Sequence, residues 1–246
     1  MEHRPPNFDA SRAWSDAMAL LNGQREIVLT VAGFFMLLPP LLLNTLHPFT
    51  PSGQSGTWLR EVGVWTEANF LWILLVALMA SLGRLTLLIL LLGPERPSVG
   101  EALRAGVRLL PLFAVMDLLI GFMWLGGLML FVIPWLYLAG RTFLAEAAFV
   151  ARRVHGPVAG IAAGFEATRR NGWRLFFIIA VIYLAGTILI GAIGSVVGVF
   201  GALFGGAGLN LFLNAFVDAA GGAGISMLLL LVAVAAWRQL GSAEHA

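Results

Sequence analysis

Five ionisable residues lie inside long apolar stretches of this sequence, namely Arg84, Asp117, Arg141, Glu146 and Asp218. A charged side chain at the centre of an apolar helix costs about 2.5–3.5 kcal/mol on insertion scales, so such residues usually face the protein interior and pair. Two guanidinium groups and three carboxylates could form a structural ion pair, line a polar cavity for a lipid headgroup or substrate, or relay protons. The residue types alone leave all three possibilities open.

The positions of these residues predict which of them meet. Arg84, Asp117 and Glu146 each lie about six to eight residues from the arginine-rich end of their apolar run, which puts them in one layer at about 1.5 Å per residue. Arg141 lies nearer the middle of its run. We therefore expect Arg84 to pair with Asp117 or Glu146, and Arg141 to complete a neutral cluster.

Asp218 has no charged residue of matching depth and is the best candidate for a solvated cavity. It precedes the sequence Gly-Gly-Ala-Gly at 221–224, which could divide its run into two half-helices. Broken helices of this kind occur in transporter sites. A simple kink or close helix packing is the alternative interpretation of the glycines.

Composition indicates that the elements carrying these residues lie in lipid. Hydrophobic residues make up 59% of the chain, charged residues 11%, and the mean hydropathy is +0.89. Soluble domains are about 45–50% apolar and about 25% charged. The chain has no cysteine, which excludes disulfides, cysteine-ligated zinc, iron–sulfur clusters and thiol catalysis.

Six apolar runs are long enough to cross a bilayer. They lie at about 27–46, 68–92, 112–132, 134–153, 173–200 and 209–237. We divide the third run from the fourth just before Pro134, because proline fits the first turn of a helix and breaks an interior. We expect the first run to be a retained span, since a long polar segment precedes it. The sequence thus predicts an all-α integral membrane protein with six transmembrane helices and one polytopic domain.

Arginine distribution predicts the orientation of these spans. All 15 basic residues are arginine, a composition typical of GC-rich bacterial genomes. With six passes, twelve of them fall on one side, which by the positive-inside rule is the cytoplasm; these are Arg4, Arg12, Arg25, Arg96, Arg104, Arg108, Arg152, Arg153, Arg169, Arg170, Arg174 and Arg238. Only Arg60 falls on the opposite side. We therefore expect a bacterial inner-membrane protein with both termini in the cytoplasm.

Three cytoplasmic segments have apolar residues at helical spacing opposite charged ones: 11–22, 99–110 and 157–170. They predict short helices in the membrane interface, each introducing a transmembrane hairpin, so that the chain contains three such units. The alternative is that any short inner loop with arginine looks amphipathic. Anionic lipid headgroups are the expected ligands of the arginines in the second and third segments and just before the third; these are Arg104, Arg108, Arg152, Arg153, Arg169 and Arg170.

A seam of glycines runs down the fifth span at alternating spacings of three and four residues: Gly191, Gly194, Gly198, Gly201 and Gly205. Small residues let helix backbones approach closely in lipid. The spacing predicts tight helix packing, against either a helix of the same chain or another subunit. A homo-oligomer or a membrane-protein partner therefore stays possible.

Motifs of known catalytic sites are absent from the sequence. It contains no HExxH, P-loop, GxSxG or dinucleotide-binding pattern, and its histidines lack metal-ligand spacing. We expect no enzymatic activity, cofactor or metal. Nucleic acid is not an expected partner either, because no soluble basic domain is present.

The stretch from Ile133 to Phe176 resembles a known family. Ile133-Pro134 with Tyr137-Leu138 and Arg141 resembles an I-P-x-x-Y-L-x-x-R pattern, and Gly156-Pro157 with Gly172-Trp173-Arg174 resembles the segment that follows it. This pattern belongs to the glycerophosphoryl diester phosphodiesterase membrane-domain family and the similar YciC-like membrane proteins. The resemblance implies a multi-span bundle. The phosphodiesterase activity of some members belongs to a separate soluble domain, whose motifs this chain lacks.

Two functional interpretations follow. The first is a non-enzymatic inner-membrane protein that acts through contacts with lipids or protein partners. The second is a transporter or lipid translocator whose path is lined by the intramembrane charges. A continuous water-accessible cavity at those charges would favour transport, whereas a dry ion pair would favour a scaffold.

Overall fold

The computed structural model describes residues 8–54, 56–93, 97–154 and 156–241. Across these ranges the chain forms helices and no strands, which confirms the predicted all-α class. The helices are α1 Ala10–Gly23, α2 Arg25–Ala32, α3 Leu38–Leu46, α4 Trp58–Ala68, α5 Phe70–Leu92, α6 Val99–Leu130, α7 Val132–Thr142, α8 Ala145–Ala151, α9 Pro157–Ala167, α10 Gly172–Phe200 and α11 Gly206–Gly241. Arg4, Arg96 and both chain ends, which the arginine pattern assigned to the cytoplasm, lie outside the described residues.

Five helical segments in the described part of the chain are long and apolar enough to cross a membrane. They are Arg25–Leu46, Phe70–Leu92, Val99–Leu130, Gly172–Phe200 and Gly208–Gly241. The length criterion is about 20 apolar residues for a bilayer of about 30 Å. Five of the six predicted runs thus correspond to such segments, and the chain has the helices of a membrane protein.

The first span is continuous despite two consecutive prolines. A π-helical turn, Gly33–Leu37, joins α2 to α3, which has Pro39 and Pro40 in its first turn. Proline has no N–H to donate and its ring crowds the preceding turn. The wider π-helical turn accommodates both effects at this position, so the helix continues as one span to Leu46.

Helix α6 corrects the prediction of a separate interfacial helix at 99–110. The Ser98 and Glu101 capping box begins the helix as expected, but the helix then continues through Pro111 to Leu130. Proline removes one hydrogen bond, and in membrane helices the freed groups are readily satisfied by their surroundings. The amphipathic segment and the third span therefore form one helix. Separate short helices do occur at the other two positions, as α1 and α9.

The fourth predicted span, 134–153, consists of two shorter helices. It breaks at Phe143 and Leu144, between α7 and α8. A Cβ atom on Gly140 would lie 2.3 Å from the carbonyl oxygen of Gly172 in α10, and one on Gly164 of α9 would lie 2.7 Å from the backbone of Ala145. The break lets α7 approach α10 and α8 approach α9, each at backbone contact.

The α7–α8 segment runs antiparallel to α6 along its length. Near the connection, a Cβ on Gly127 would meet the backbone of Trp135 at 3.0 Å. Further along, Trp124 Nε1 donates a hydrogen bond of 3.0 Å to Thr142 Oγ1. At the far end, the rings of Phe113 and Phe149 pack edge-to-face with centroids 6.0 Å apart. The division before Pro134 is thus close to the observed one, at Phe131 between the two helices.

Helices α10 and α11 form an antiparallel hairpin, joined by a π-helical turn, Gly201–Gly205, and by Gly206 with φ of +65°. Helix α11 is continuous from Gly206 to Gly241, so the glycines at 221–224 do not divide this run into two half-helices. A Cβ on Gly221 would lie 2.3 Å from the side chain of Ile190, whereas one on Gly222 or Gly224 would meet nothing. Helix packing therefore accounts for Gly221.

Helix α4 lies in the segment between the first two spans. Its residue Glu61 closes the loop by accepting hydrogen bonds from the Ser52 hydroxyl, from Ser52 N at 3.1 Å and from Thr57 Oγ1 at 2.8 Å. The side-chain hydrogen bond from Ser52, followed by that from Thr57, lowers the pKa of Glu61 below its usual value. The carboxylate thus organises this polar loop.

Candidate functional site

An ion cluster, formed by Ser81, Arg84, Asp117 and Glu146, lies inside the helical bundle. Arg84 Nη1 donates to Glu146 Oε1 at 2.7 Å, and Nη2 donates to Asp117 Oδ2 at 2.5 Å. Ser81 Oγ also donates to Asp117 Oδ2 at 2.7 Å and accepts from Arg84 Nη2 at 3.1 Å. The guanidinium therefore joins both carboxylates that the depth argument named as alternative partners.

Three different helices supply the ion cluster. Ser81 and Arg84 are three residues apart on α5, which puts them on one helix face. Asp117 comes from α6 and Glu146 from the first turn of α8. Ser81 was not among the predicted site residues, although its spacing to Arg84 is the signal that could have identified it. The charges thus connect α5, α6 and α8 across the bundle.

The ion cluster is only partly enclosed by the protein. The side chains of Arg84, Asp117 and Glu146 retain 30%, 21% and 23% of their exposure. They open onto a cavity of about 360 Å³, a size typical of small-ligand sites. Its lining is mostly apolar apart from the cluster and comprises Leu88, Ile120, Gly121, Trp124, Thr142, Phe143, Ser226, Leu229, Leu230 and Ala233. One guanidinium faces two carboxylates there, so the cavity carries an excess acidic group.

Arg141 does not join the ion cluster, which corrects the prediction of a neutral four-residue group. Its backbone carbonyl accepts a hydrogen bond of 3.0 Å from Thr168 Oγ1, and its side chain packs against Gly172 at the start of α10. The depth argument assumed one straight helix over 134–153. Because the chain breaks after α7, Arg141 lies beside the α9–α10 connection instead.

Arg141 lines a second cavity, the Arg141 pocket, of about 580 Å³. The other lining residues are Arg152, Val154, Ala159, Ala162, Ala163, Phe165, Glu166 and Arg169. The Arg141 side chain is buried, and its guanidinium carbon lies 5.0 Å from the ring centre of Phe165 and 5.9 Å from that of Tyr137. Sequence reasoning did not identify this pocket, because Phe165 and Glu166 lie on α9 and are separated from Arg141 by the whole of α8.

Asp218 is exposed on α11 and is not part of the ion cluster. Among the described residues it makes no ion pair or hydrogen bond. Since α11 is continuous here, Asp218 does not lie at a half-helix end either. The structure therefore leaves this carboxylate apart from both cavities.

Four of the five seam glycines of α10 and the following turn face α11. A Cβ at Gly194 would lie 3.9 Å from the side chain of Val217, and one at Gly198 would lie 3.6 Å from that of Asn214. One at Gly201 would lie 2.6 Å from Asn210 Oδ1 and 2.9 Å from its Cα, and one at Gly205 would lie 2.8 Å from Leu209. Gly191 has no atom within 4 Å of the equivalent position. The close packing is within the same chain.

Most of the arginines predicted to contact lipid are exposed and make no ion pair within the described ranges; these are Arg104, Arg108, Arg153, Arg169 and Arg170. Arg152 differs, because its Nη1 pairs with Glu166 Oε2 at 2.7 Å and its guanidinium lies 5.5 Å from the ring of Trp237. Five guanidinium groups are therefore free to meet anions from outside.

Contacts between distant segments bring the arginine-rich ends of the helices together. Phe8 N donates to Asn171 Oδ1 at 3.2 Å, and Asp9 N donates to Gln239 Oε1 at 3.3 Å. Arg238 Nη2 donates to the carbonyl of Leu91 at 2.8 Å. With Arg152 on Trp237, these contacts join the segment before α1, the end of α5, the end of α8, the start of α10 and the end of α11. We call this assembly the arginine-bearing end.

No protein-family model, curated protein or solved structure matches this chain. The resemblance to the glycerophosphoryl diester phosphodiesterase membrane-domain family accordingly stays a prediction carried by the residues between Ile133 and Phe176. Function must be inferred from the geometry of the chain itself.

Proposed function

We propose that this chain is a non-enzymatic, six-pass protein of the bacterial inner membrane that binds anionic phospholipids with its arginine-bearing end. Both termini lie in the cytoplasm in this proposal. Lipid headgroups of the inner leaflet are its first partners, and contacts with a second copy or another membrane protein would use its exposed apolar helices.

The six-pass topology is supported by the contacts at the arginine-bearing end. The chain leaves this end at α1, returns at the end of α5, returns again at the end of α8 and again at the end of α11. Each return requires an even number of traverses. Five of the six traverses are made by single long helical segments. The remaining one is made by α7 and α8 together, which run antiparallel to α6. Positive charge on cytoplasmic segments sets the orientation.

The observation that carries the lipid proposal is the set of exposed, unpaired arginines on this end. An arginine close to an anionic leaflet contributes about 1 kcal/mol of attraction. Arg104 and Arg108 lie one turn apart on α6, and Arg169 and Arg170 precede α10, so they project from different parts of one end. Arginine also binds phosphate oxygens in a bidentate manner, which suits phospholipid headgroups.

The experiment is a lipid competition on the purified full chain. Protein is equilibrated in mixed micelles of phosphatidylglycerol and phosphatidylcholine, and retained lipids are counted by native mass spectrometry. We expect the combined variant Arg104→Gln, Arg108→Gln, Arg153→Gln and Arg170→Gln to reduce the preference for phosphatidylglycerol by about tenfold or more.

The matched control is Arg60→Gln, which removes an exposed arginine from the opposite side of the proposed topology. It should leave the lipid preference unchanged. Equal preference in the combined variant and the unmodified chain would refute the lipid proposal, as would an equally large loss in Arg60→Gln.

A transporter or lipid translocator is the second candidate function. The specific observation in its favour is the cavity of about 360 Å³ at the ion cluster, where the excess carboxylate could exchange a proton or a cationic group. Asp218 and Arg141 lie apart from that cavity, so a path would use Arg84, Asp117 and Glu146 only. The charge of Glu146 would then be required for transport and not for folding.

A further inference from the structure

The side chain of Arg141 is largely buried, and two of its three guanidinium nitrogens lack a polar partner among the described residues. The residue is 9% exposed, and its Nε and Nη1 atoms are buried with no hydrogen-bond partner in the part of the chain that the structure describes. Within the described ranges its side chain also makes no ion pair. A buried cation without a counter-ion is strongly unfavourable. The rings of Phe165 and Tyr137 offset part of this cost through cation–π attraction, but neither side chain accepts a hydrogen bond from Nε or Nη1 of Arg141.

Charges around the Arg141 pocket add to its positive character. Three arginines and one carboxylate line it, and the carboxylate of Glu166 is already paired with Arg152 at 2.7 Å. Arg141 and Arg169 are left without an acidic partner among the described residues. The pocket therefore has two uncompensated positive charges, and an anion is the ligand that would compensate them.

The shape of the Arg141 pocket indicates the class of anion. Two guanidinium groups bind the oxygens of a phosphate group through charge-assisted, often bidentate hydrogen bonds. The remaining walls are small and apolar, with Ala159, Ala162 and Val154, and the volume of about 580 Å³ lies within the range of ligand sites. Such walls leave room for a glycerol or similar small group attached to the phosphate.

We propose that the Arg141 pocket is a specific phosphate-group site, in which Arg141 and Arg169 hold the phosphate of a lipid headgroup or a free phosphate ion. The lipid source rests on the proposed function, because it requires the arginine-bearing end to face an anionic leaflet. This site differs from the other arginines of this end, since one of its two cations, Arg141, is buried and makes no ion pair among the described residues.

The experiment measures binding of two probes to the full chain in detergent, at constant ionic strength. One probe is inorganic phosphate and the other is short-chain phosphatidylglycerol, each titrated by calorimetry. Arg141→Gln should weaken binding of the probe by about tenfold or more, because the variant loses a charge-assisted hydrogen bond to the phosphate group.

A second variant keeps the proposal testable if Arg141→Gln disturbs folding. Ala162 is exposed at the wall of the pocket, so Ala162→Glu adds an acidic group there without altering Arg141. It should weaken binding about as much as Arg141→Gln. Ala162→Gln has the same size without the charge and should bind within about twofold of the unmodified chain.

The pattern of results separates the sources and the two proposals. Binding of both probes supports recognition of the phosphate group alone, and binding of phosphatidylglycerol only supports a lipid site. The Arg141 pocket is refuted if neither probe binds the unmodified chain, or if neither Arg141→Gln nor Ala162→Glu weakens binding. The combined variant at Arg104, Arg108, Arg153 and Arg170 leaves this pocket intact, so failure of the general lipid proposal is seen separately.

Discussion

Arg84 is the residue on which the charged interior depends. Its two terminal nitrogens each hold one carboxylate, and Ser81 supports the bond to Asp117. Removing one partner from a buried ion pair is far more costly than replacing all partners by uncharged groups, because the remaining charge stays buried and unpaired. The cluster therefore predicts strongly non-additive effects of substitution.

Arg84→Met should lower the free energy of unfolding by about 3 kcal/mol, because it leaves Asp117 and Glu146 facing each other without a cation. Glu146→Gln should cost less than about 1 kcal/mol, since the amide oxygen can still accept from Arg84. The triple variant Arg84→Met, Asp117→Asn, Glu146→Gln should recover most of the lost stability. Unfolding in mixed micelles with sodium dodecyl sulfate measures all three.

The triple variant decides whether charge or packing matters at the ion cluster. If it is no more stable than Arg84→Met, loss of packing by Arg84 explains the effect and the ion-pair account is wrong. Glu146→Gln also tests the second candidate function, because its stability is expected to be retained. If the chain is a transporter, the Glu146→Gln variant should remain folded but lose transport.

Residue pairing could be predicted where the helices are regular. Depth counting brought Arg84, Asp117 and Glu146 together because α6 runs antiparallel to both α5 and α8, so that all three residues lie at the same depth. The same count failed for Arg141, because depth can be counted from residue number only along one continuous helix, and the chain breaks at Phe143 and Leu144. A break produced by tertiary contacts of Gly140 and Gly164 leaves little trace in a single sequence.

At the scale of the elements, glycine spacing determines how α10 and α11 approach each other. Gly201 is the tightest of the seam positions, since an added Cβ would lie 2.9 Å from the Cα of Asn210. Backbone cannot move aside as a flexible side chain can. The seam thus contains one position where substitution must separate the helices and another, Gly191, where it need not.

Gly201→Ala should therefore destabilise the protein by about 1–3 kcal/mol, the usual cost of overpacking. Gly191→Ala, its matched control on α10, should be neutral or slightly stabilising, because alanine has the higher helix propensity and the added methyl meets nothing within 4 Å. Unfolding midpoints in detergent compare the two. Equal destabilisation by both variants would place the seam against another subunit and contradict packing within the chain.

Element boundaries were predictable where caps and apolar runs coincide. The runs at 173–200 and 209–237 correspond closely to α10 and α11, and the capping box at Ser98 marks the start of α6. Proline was the less reliable signal. Pro111 lies inside α6, and the prolines of the first span lie in a helix that continues, because lipid-embedded helices tolerate a lost hydrogen bond.

At the scale of the whole molecule, surface chemistry differs between the sides and the arginine-bearing end of the bundle. Large apolar side chains are exposed along α6 and α10, as expected for helices that face lipid or a partner. The C-terminal half of α11 is buried instead, and the side chains of Leu231, Val232 and Val234 are fully enclosed. This half of α11 forms the centre on which the other helices pack. The arginine-bearing end lies at its C-terminus.

The central claim is that the arginine-bearing end faces the cytoplasm after six traverses. The chain has no native cysteine, so single cysteines can be introduced directly. Ser15→Cys and Val158→Cys place an exposed thiol on α1 and α9, and Gln54→Cys places one in the loop before α4. Each position is exposed, so labelling depends on the side of the membrane.

The deciding measurement is labelling of these three variants in intact spheroplasts with a membrane-impermeant maleimide. We predict that Gln54→Cys is labelled at once, and that Ser15→Cys and Val158→Cys are labelled only after the membrane is permeabilised. Labelling of Ser15→Cys or Val158→Cys in intact spheroplasts would contradict the account, because an arginine-bearing end outside the cell cannot bind the anionic inner leaflet.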